Sequence, residues 1–287
     1  MNIIKSIFIS TFAMVATIIS FYAGAMIYAG ENPIAWGGVM LTTAPFMTVI
    51  SWLIIFRRMA RTSDHFPVIN FLSAIGVAMA IWSWSRGGSG MAPLLAIIGW
   101  SGFLLYSYWY SIFGRRPSKE IKVGAYLPDF TLRDVNGATV SSSQLTDKPT
   151  VLIFYRGNWC PLCVAQVKEV VRYYKEMEDL GVRVALISPQ PQRKTAALSK
   201  KFNVKYDFLI DHDNLAAHTL GLVDPYGLPM GQQLNGYKSE TVLPTVIITE
   251  RGGKIIWTHE TDNYRVRPEP VVFLEVLRRH LAGTVTA

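Results

Sequence analysis

The sequence predicts two parts of different class: an α-helical membrane domain of four transmembrane helices over residues 1–113, and an α/β domain over residues 124–287. A polar linker at 114–123 joins them. Three observations carry this. Charge is segregated, with five Lys/Arg and two Asp/Glu in residues 1–113 against 23 and 18 in the remainder. Long uncharged apolar runs fill the first part. In the second, the hydrophobic period switches between that of buried strands and that of helices.

Composition points the same way. Half the residues are hydrophobic and only 17% are charged, which is unusual for one soluble domain. The net charge of +8 sits partly at membrane flanks, and no basic stripe with interleaved aromatics is present, so nucleic acid is not an expected partner. Two cysteines exclude a disulfide-stapled secreted scaffold, and no second Cys or His pair follows at zinc-ligand spacing.

The apolar runs are Ile7 to Ala29, Trp36 to Phe56, Val68 to Trp84 and Met91 to Phe113. None contains Lys, Arg, Asp or Glu, and each is long enough, at ~1.5 Å per residue, to cross most or all of roughly 30 Å of hydrocarbon. Pro45 is expected to kink the second. Trp36, Trp84 and Trp109 fall near the ends, where an aromatic belt would lie. The first run exceeds the ~7–15 apolar residues of a signal peptide, so it is read as a retained span. Arg57, Arg58 and Arg61 follow the second run, and Arg115, Arg116, Lys119 and Lys122 follow the fourth. The positive-inside rule then predicts a protein of a bacterial-type inner membrane, with both termini and the second domain in the cytoplasm. With no cysteine, no ionisable residue within a span and only His65 in a loop, this part reads as an anchor in the lipid bilayer.

In the second part, Asp134-Val135-Asn136-Gly137 marks a hairpin turn after the extended segment Pro128 to Leu132. Val151 to Tyr155 and Val182 to Ser188 read as buried strands, Pro161 to Leu180 and Arg193 to Phe202 as helices. Thr245 to Thr249 and Lys254 to Thr258 form strands about the Arg251-Gly252-Gly253 turn, and Pro270 to Leu281 is a closing helix. Asp211, His212 and Asp213 read as a solvated turn with a helix cap, not a metal site. His218 and His259 read as surface residues.

Both cysteines, Cys160 and Cys163, fall where the first strand gives way to the long helix. Residues three apart on a helix have Cβ atoms ~5–6 Å apart, close to the ~3.5–4.5 Å of a disulfide. A thiolate there is stabilised by the helix dipole and unpaired N–H groups, which lowers its pKa and makes it reactive. Pro161 suits a first helical turn. Arg156 offers a positive charge, against the alternative of a solvated loop residue. Trp159 offers a flat apolar lip for a thiol substrate, against simple core packing.

These residues carry a resemblance. Phe154-Tyr155-Arg156-Gly157-Asn158-Trp159-Cys160-Pro161-Leu162-Cys163 resembles the active-site segment of the thioredoxin-like superfamily, nearest its peroxiredoxin-like branch, the alkyl hydroperoxide reductase and thiol-specific antioxidant group. Leu127 to Leu132 with Asn136-Gly137, Ile187-Ser188-Pro189-Gln190, Phe208 to Asn214, Leu243-Pro244-Thr245 and Tyr264-Arg265-Val266-Arg267-Pro268 are similar to further segments of that branch. The likeness covers residues 124–283 and implies an α/β thioredoxin-like fold. It also implies that Pro244, with Thr245 after it, sits opposite the redox pair on a cis peptide bond. Arg156 and Cys160 stand where the branch carries the proline and threonine of its Pro-x-x-x-Thr-x-x-Cys motif. Two assignments follow. In the peroxiredoxin alignment Cys163 attacks and Cys160 resolves. In the thioredoxin alignment Cys160, taken as the more exposed, attacks and Cys163 resolves.

The expected function is a membrane-anchored thiol oxidoreductase that reduces protein disulfides or hydroperoxides and ends as a Cys160–Cys163 disulfide. It needs no metal or organic cofactor, only an external dithiol reductant such as a thioredoxin-like protein. The alternative is a redox sensor or scaffold without turnover.

Overall fold

The computed structural model describes residues 3–285. These divide into two compact units: Ile3–Arg57 with Thr62–Phe113, and Arg58–Arg61 with the chain from Gly114 onward.

The first unit is built from α1 (Ile3–Tyr28), α2 (Pro33–Phe56), α3 (Pro67–Ser85) and α4 (Met91–Leu105). A π-helical turn, Tyr106–Tyr110, extends α4. Among the described residues, four helices are thus long and apolar enough to cross a membrane. Asn32 caps α2, its Oδ1 accepting from the N–H of Ile34 at 2.9 Å, and Pro33 occupies the first turn. Pro45 lies inside α2, which continues to Phe56.

Small residues bring these helices together. A Cβ on Gly38 of α2 would stand 2.4 Å from the Gly76 carbonyl oxygen of α3, and one on Gly76 the same distance from the Gly38 carbonyl. The two backbones therefore touch, as they do where small residues mediate helix packing in lipid. Ala23, Val39, Ala80, Ala92 and Ala96 fill the interior with Trp36, which is 3% exposed. Trp36 thus departs from the expected aromatic belt: it stacks edge-on against Tyr22 at 5.4 Å. Trp84 remains exposed. Lys5 is folded into α1, its Nζ donating to the Ile112 carbonyl at 2.5 Å.

The second unit begins with a surprise. Gly114 to Lys122, which reads as a polar connector, is tied to the α/β domain. Arg115 pairs with Glu260 at 2.5 Å, the Ser118 hydroxyl donates to the Leu220 carbonyl at 2.7 Å, and Ile121 is buried in the domain core. Then follow β1 (Thr131–Arg133), β2 (Thr139–Ser141), α5 (Ser142–Leu145), β3 (Thr150–Phe154), α6 (Pro161–Arg172), α7 (Tyr174–Asp179), β4 (Arg183–Ser188), α8 (Gln192–Phe202), β5 (Asp207–Ile210), α9 (Leu215–Thr219), β6 (Val223–Asp224), β7 (Thr241–Val242), β8 (Thr245–Thr249), β9 (Ile255–Glu260) and α10 (Pro270–Val285).

Seven strands form one sheet in the order β2-β1-β5-β4-β3-β8-β9. Its centre is parallel: Leu152 pairs with Ala185, and Ile187 with Leu209. β8 runs antiparallel to β3, with Val246 opposite Ile153. Every residue of β3 and β8 is buried, as expected for strands covered on both faces. Leu152, Phe154, Ala185, Ile187, Leu209 and Ile247 form the centre of the core. This is a thioredoxin-like α/β sheet, as the resemblance implies.

Two elements differ from expectation. The helix expected over Pro161 to Leu180 breaks at Tyr173 (φ −94°, ψ 17°) into α6 and α7. Phe208 to Ile210, read within a turn, is instead the end of β5. Its three apolar residues are too few to show a period. Asp211 does cap the following helix, accepting from the N–H groups of Ala216 and Ala217 at 2.9 and 2.8 Å, but it is buried rather than solvated.

Candidate redox site

β3 delivers the chain to the site. After Phe154 the backbone turns through Gly157 at φ +133°, a conformation that L side chains rarely adopt. Cys160 then caps α6. It has extended backbone angles, and the Cys163 N–H donates to its Sγ at 3.4 Å, so a sulfur takes the place of the usual capping oxygen. Pro161 opens the helix, where its missing N–H has no partner to lose. Both cysteines are free thiols. Cys160 is 2% exposed and Cys163 0%, so the greater exposure expected of Cys160 is absent.

Arg156 is a buried residue and not a solvated one, at 2% exposure. Its guanidinium pairs with Asp224 at 3.6 Å and donates to the Gly227 carbonyl. It also lies 4.6 Å from the centre of the Trp159 ring. A Cβ on Gly227 would fall 2.2 Å from Asp224 Oδ2, so only glycine fits beside this pair. Trp159 is half-buried, and its indole N–H donates to the Arg156 carbonyl at 3.1 Å. It therefore packs as a wall of the Arg156 site.

The group that reaches both sulfurs is Arg267. It is buried, and its Nη2 lies 3.3 Å from Cys163 Sγ and 3.9 Å from Cys160 Sγ. Nη1 donates to Gln166 Oε1 at 2.7 Å, and Nε donates to the Tyr264 carbonyl at 3.2 Å. Gln166 stands one turn beyond Cys163 on α6, so the helix that carries the sulfur also orients its cation.

The sequence brought Arg267 into view only within the family-like segment Tyr264 to Pro268. Gln166, Asp224 and Gly227 carried no sequence signal. Pro244 and Thr245 stand nearby, lining a small cavity with Gln166, His259 and Arg267. No cis peptide bond occurs among the described residues, so Pro244 is trans, contrary to expectation; trans is the lower-energy form of an X–Pro bond. Thr245 directs its hydroxyl to the Leu243 carbonyl at 3.0 Å and accepts from Arg115 Nη1 at 3.2 Å. His259 is half-buried rather than on the surface, and burial holds its pKa below the ordinary value.

The charges divide the two thiols. Burial alone would raise both. At Cys163 it is outweighed by the hydrogen bond with Cys160, the Arg267 charge, and the backbone and charge of Arg156, and the pKa falls to about 5. At Cys160 burial and the neighbouring Cys163 push the pKa well up. The environment thus favours a negative charge on Cys163, the sulfur nearer Arg267, and disfavours a second on Cys160. Among the described residues, no three His, Cys, Asp or Glu side chains are grouped to hold a metal.

A buried Cys-x-x-Cys pair at a strand-to-helix junction of a thioredoxin-like sheet defines a redox domain. Residues 123–258 match the AhpC/TSA family. The chain is 31% identical over 115 residues to a chloroplastic peroxiredoxin Q of Triticum aestivum, covering 40% of this chain and 53% of that protein. It is 23% identical over 163 residues to the thiol-disulfide oxidoreductase ResA of Bacillus thuringiensis (strain Al Hakam), covering 57% and 81%. It spans about half the length of the peroxiredoxin Q relatives it matches. The crystal structure of peroxidoxin BcpB from Mycobacterium tuberculosis overlays with a TM-score of 0.46 at 23% identity, covering 55% of this chain and 97% of that one.

Proposed function

We propose that this chain is a membrane-anchored, thiol-dependent hydroperoxide reductase in which Cys163 attacks and Cys160 resolves. The observation that carries this is the buried Arg267 guanidinium, closer to Cys163 than to Cys160. It favours the thiolate, which is the reactive form, on Cys163. Burial of both sulfurs supports a small substrate, since a protein disulfide needs an open path to the attacking sulfur.

In the first step the Cys163 thiolate attacks the peroxide oxygen. The S–O bond forms, the O–O bond breaks, and the departing alkoxide or hydroxide takes a proton and leaves as alcohol or water. Cys163 is then a sulfenic acid. Cys160 attacks that sulfur, the S–S bond forms, and water leaves with the Cys160 proton. An external dithiol, such as a thioredoxin-like protein, restores both thiols by exchange. The redox-active disulfide is the only cofactor this chemistry requires.

The four apolar helices support anchoring in a lipid bilayer, and the loop charges support a cytoplasmic location for both termini and the redox unit. The Cys-x-x-Cys spacing and the likeness to ResA support a second reading, in which Cys160 attacks a protein disulfide.

The test is the full chain in detergent, as wild type, Cys160→Ser and Cys163→Ser, given hydrogen peroxide with dithiothreitol as donor. The expected result is turnover by the wild type, a single trapped sulfenic acid in Cys160→Ser, and no oxidation in Cys163→Ser. Turnover of a disulfide alone, with Cys160 essential, favours the second reading. A single stoichiometric oxidation without turnover makes the chain a redox sensor.

A further inference from the structure

Arg61 belongs to the short segment Arg58–Arg61 that clusters with the redox unit. Its Nε donates to the backbone carbonyl of Arg267 at 3.1 Å. Its Nη2 donates to Glu169 at 2.5 Å, and its Nη1 to Glu269 at 3.2 Å. Glu169 lies on α6, which also carries Cys163 and Gln166. Glu269 follows Arg267 by two residues in the segment that leads into α10. One guanidinium thus bonds both elements whose meeting puts Arg267 on Cys163. The bonds use its fork of N–H groups at three separate acceptors, a geometry that a lysine ammonium does not reproduce. The pair with Glu169 is partly shielded, with side-chain exposures of 29% and 20%.

We infer that Arg61 is a positioning residue for the redox centre, a clamp that holds α6 against the Arg267 segment and so keeps the Arg267 guanidinium on the Cys163 sulfur. This rests on the reading of Cys163 as the reactive thiolate. Arg61 touches neither sulfur in this role; it acts through the main chain of Arg267. Arg61, Arg267 and Glu269 all lie outside residues 123–258, the part matched by the AhpC/TSA family.

A clamp and a general stabiliser differ in what they move. The titratable and charged groups acting on Cys163 are Cys160, Arg156 and Arg267, with Tyr155 buried beside it. Arg156, Arg267 and Tyr155 remain when Arg61 is replaced, Cys160 is absent from every arm of the test, and Arg61→Lys keeps the charge that pairs with Glu169 and Glu269, so a shift that lysine does not undo reports the Arg267 contact.

The test uses the full chain in detergent on a Cys160→Ser background, where Cys163 is the sole thiol. Thiolate absorbance is followed against pH for Arg61, Arg61→Ala and Arg61→Lys, with thermal unfolding measured separately. With Arg61→Ala the thiolate midpoint should rise by about one pH unit, a part of the full effect of an adjacent opposite charge. Arg61→Lys should keep most of that rise, and Glu169→Gln should give a smaller shift of the same sign if the alanine variant does not fold. An unchanged midpoint in Arg61→Ala overturns the clamp, whatever happens to the unfolding temperature. Full recovery by lysine overturns it too, because charge at a distance is then sufficient. If the parent with Arg61 intact shows no thiolate below neutral pH, the reading of Cys163 fails first and the clamp fails with it.

Discussion

The two units of this chain solve opposite packing problems. In the helical unit small residues line the closest helix contact, where Gly38 meets Gly76 and the backbones of α2 and α3 touch, beside buried aromatics such as Phe46 and Phe103. Many of its other large side chains, such as Phe21, Ile55 and Phe71, point outward. In the redox unit the large apolar side chains are inside and three arginines are buried with them, Arg156, Arg265 and Arg267, each at 4% exposure or less. The first arrangement suits a lipid surround, where side chains gain nothing by being hidden from other hydrocarbon. The second is costly unless every buried charge finds a partner. Arg156 finds Asp224 and the Gly227 carbonyl, and Arg267 finds Gln166 and the two sulfurs.

This contrast can be broken at several points. The largest expected effect is at Asp224. Asp224→Leu leaves the buried Arg156 charge without its carboxylate and should destabilise the redox unit by about 3–5 kcal/mol, read by chemical denaturation. Arg267→Leu should come next. Without the guanidinium the Cys163 midpoint should climb by about 1–3 pH units, and peroxide reduction at neutral pH should slow accordingly, measured by stopped-flow oxidation.

In the helical unit Gly76→Leu should cost about 1–3 kcal/mol by forcing α2 and α3 apart, read as a lower unfolding temperature in detergent.

A smaller effect follows from pH. The folded Cys163 pKa lies below the ordinary thiol value, at about 5. Its contribution to stability is therefore fully present above the unfolded thiol pKa and is lost as pH falls through about 5. Alkylation of Cys163 in the wild-type chain should fade across the same lower limit. Smallest of all is Arg278→Ala. This residue pairs with Glu176 at 2.9 Å on the surface, and its loss should change stability by less than about 1 kcal/mol.

The sequence by itself determined the division into a four-helix apolar unit and an α/β unit, the position of the cysteines at a strand-to-helix junction, and the limits of the longer helices and of the central strands β3, β4 and β8. Those are local properties: an uncharged run, a hydrophobic period, a cap, a turn. Helix ends such as Phe56 were legible because charge follows them at once. The break at Tyr173 and the short strand β5 were not, because propensity is weak over a few residues and neighbouring strands decide.

Only the tertiary structure decided that Arg156 is buried, that Trp36 faces inward and that the 114–122 segment is tied to the α/β domain. It alone brought Arg267 to the sulfurs, across 104 residues of chain. A charge acts on a thiol through a few ångströms of space, whatever the separation along the chain. The identity of the redox pair was therefore written locally, while the tuning of its two pKa values arose from long-range contacts that no local pattern encodes.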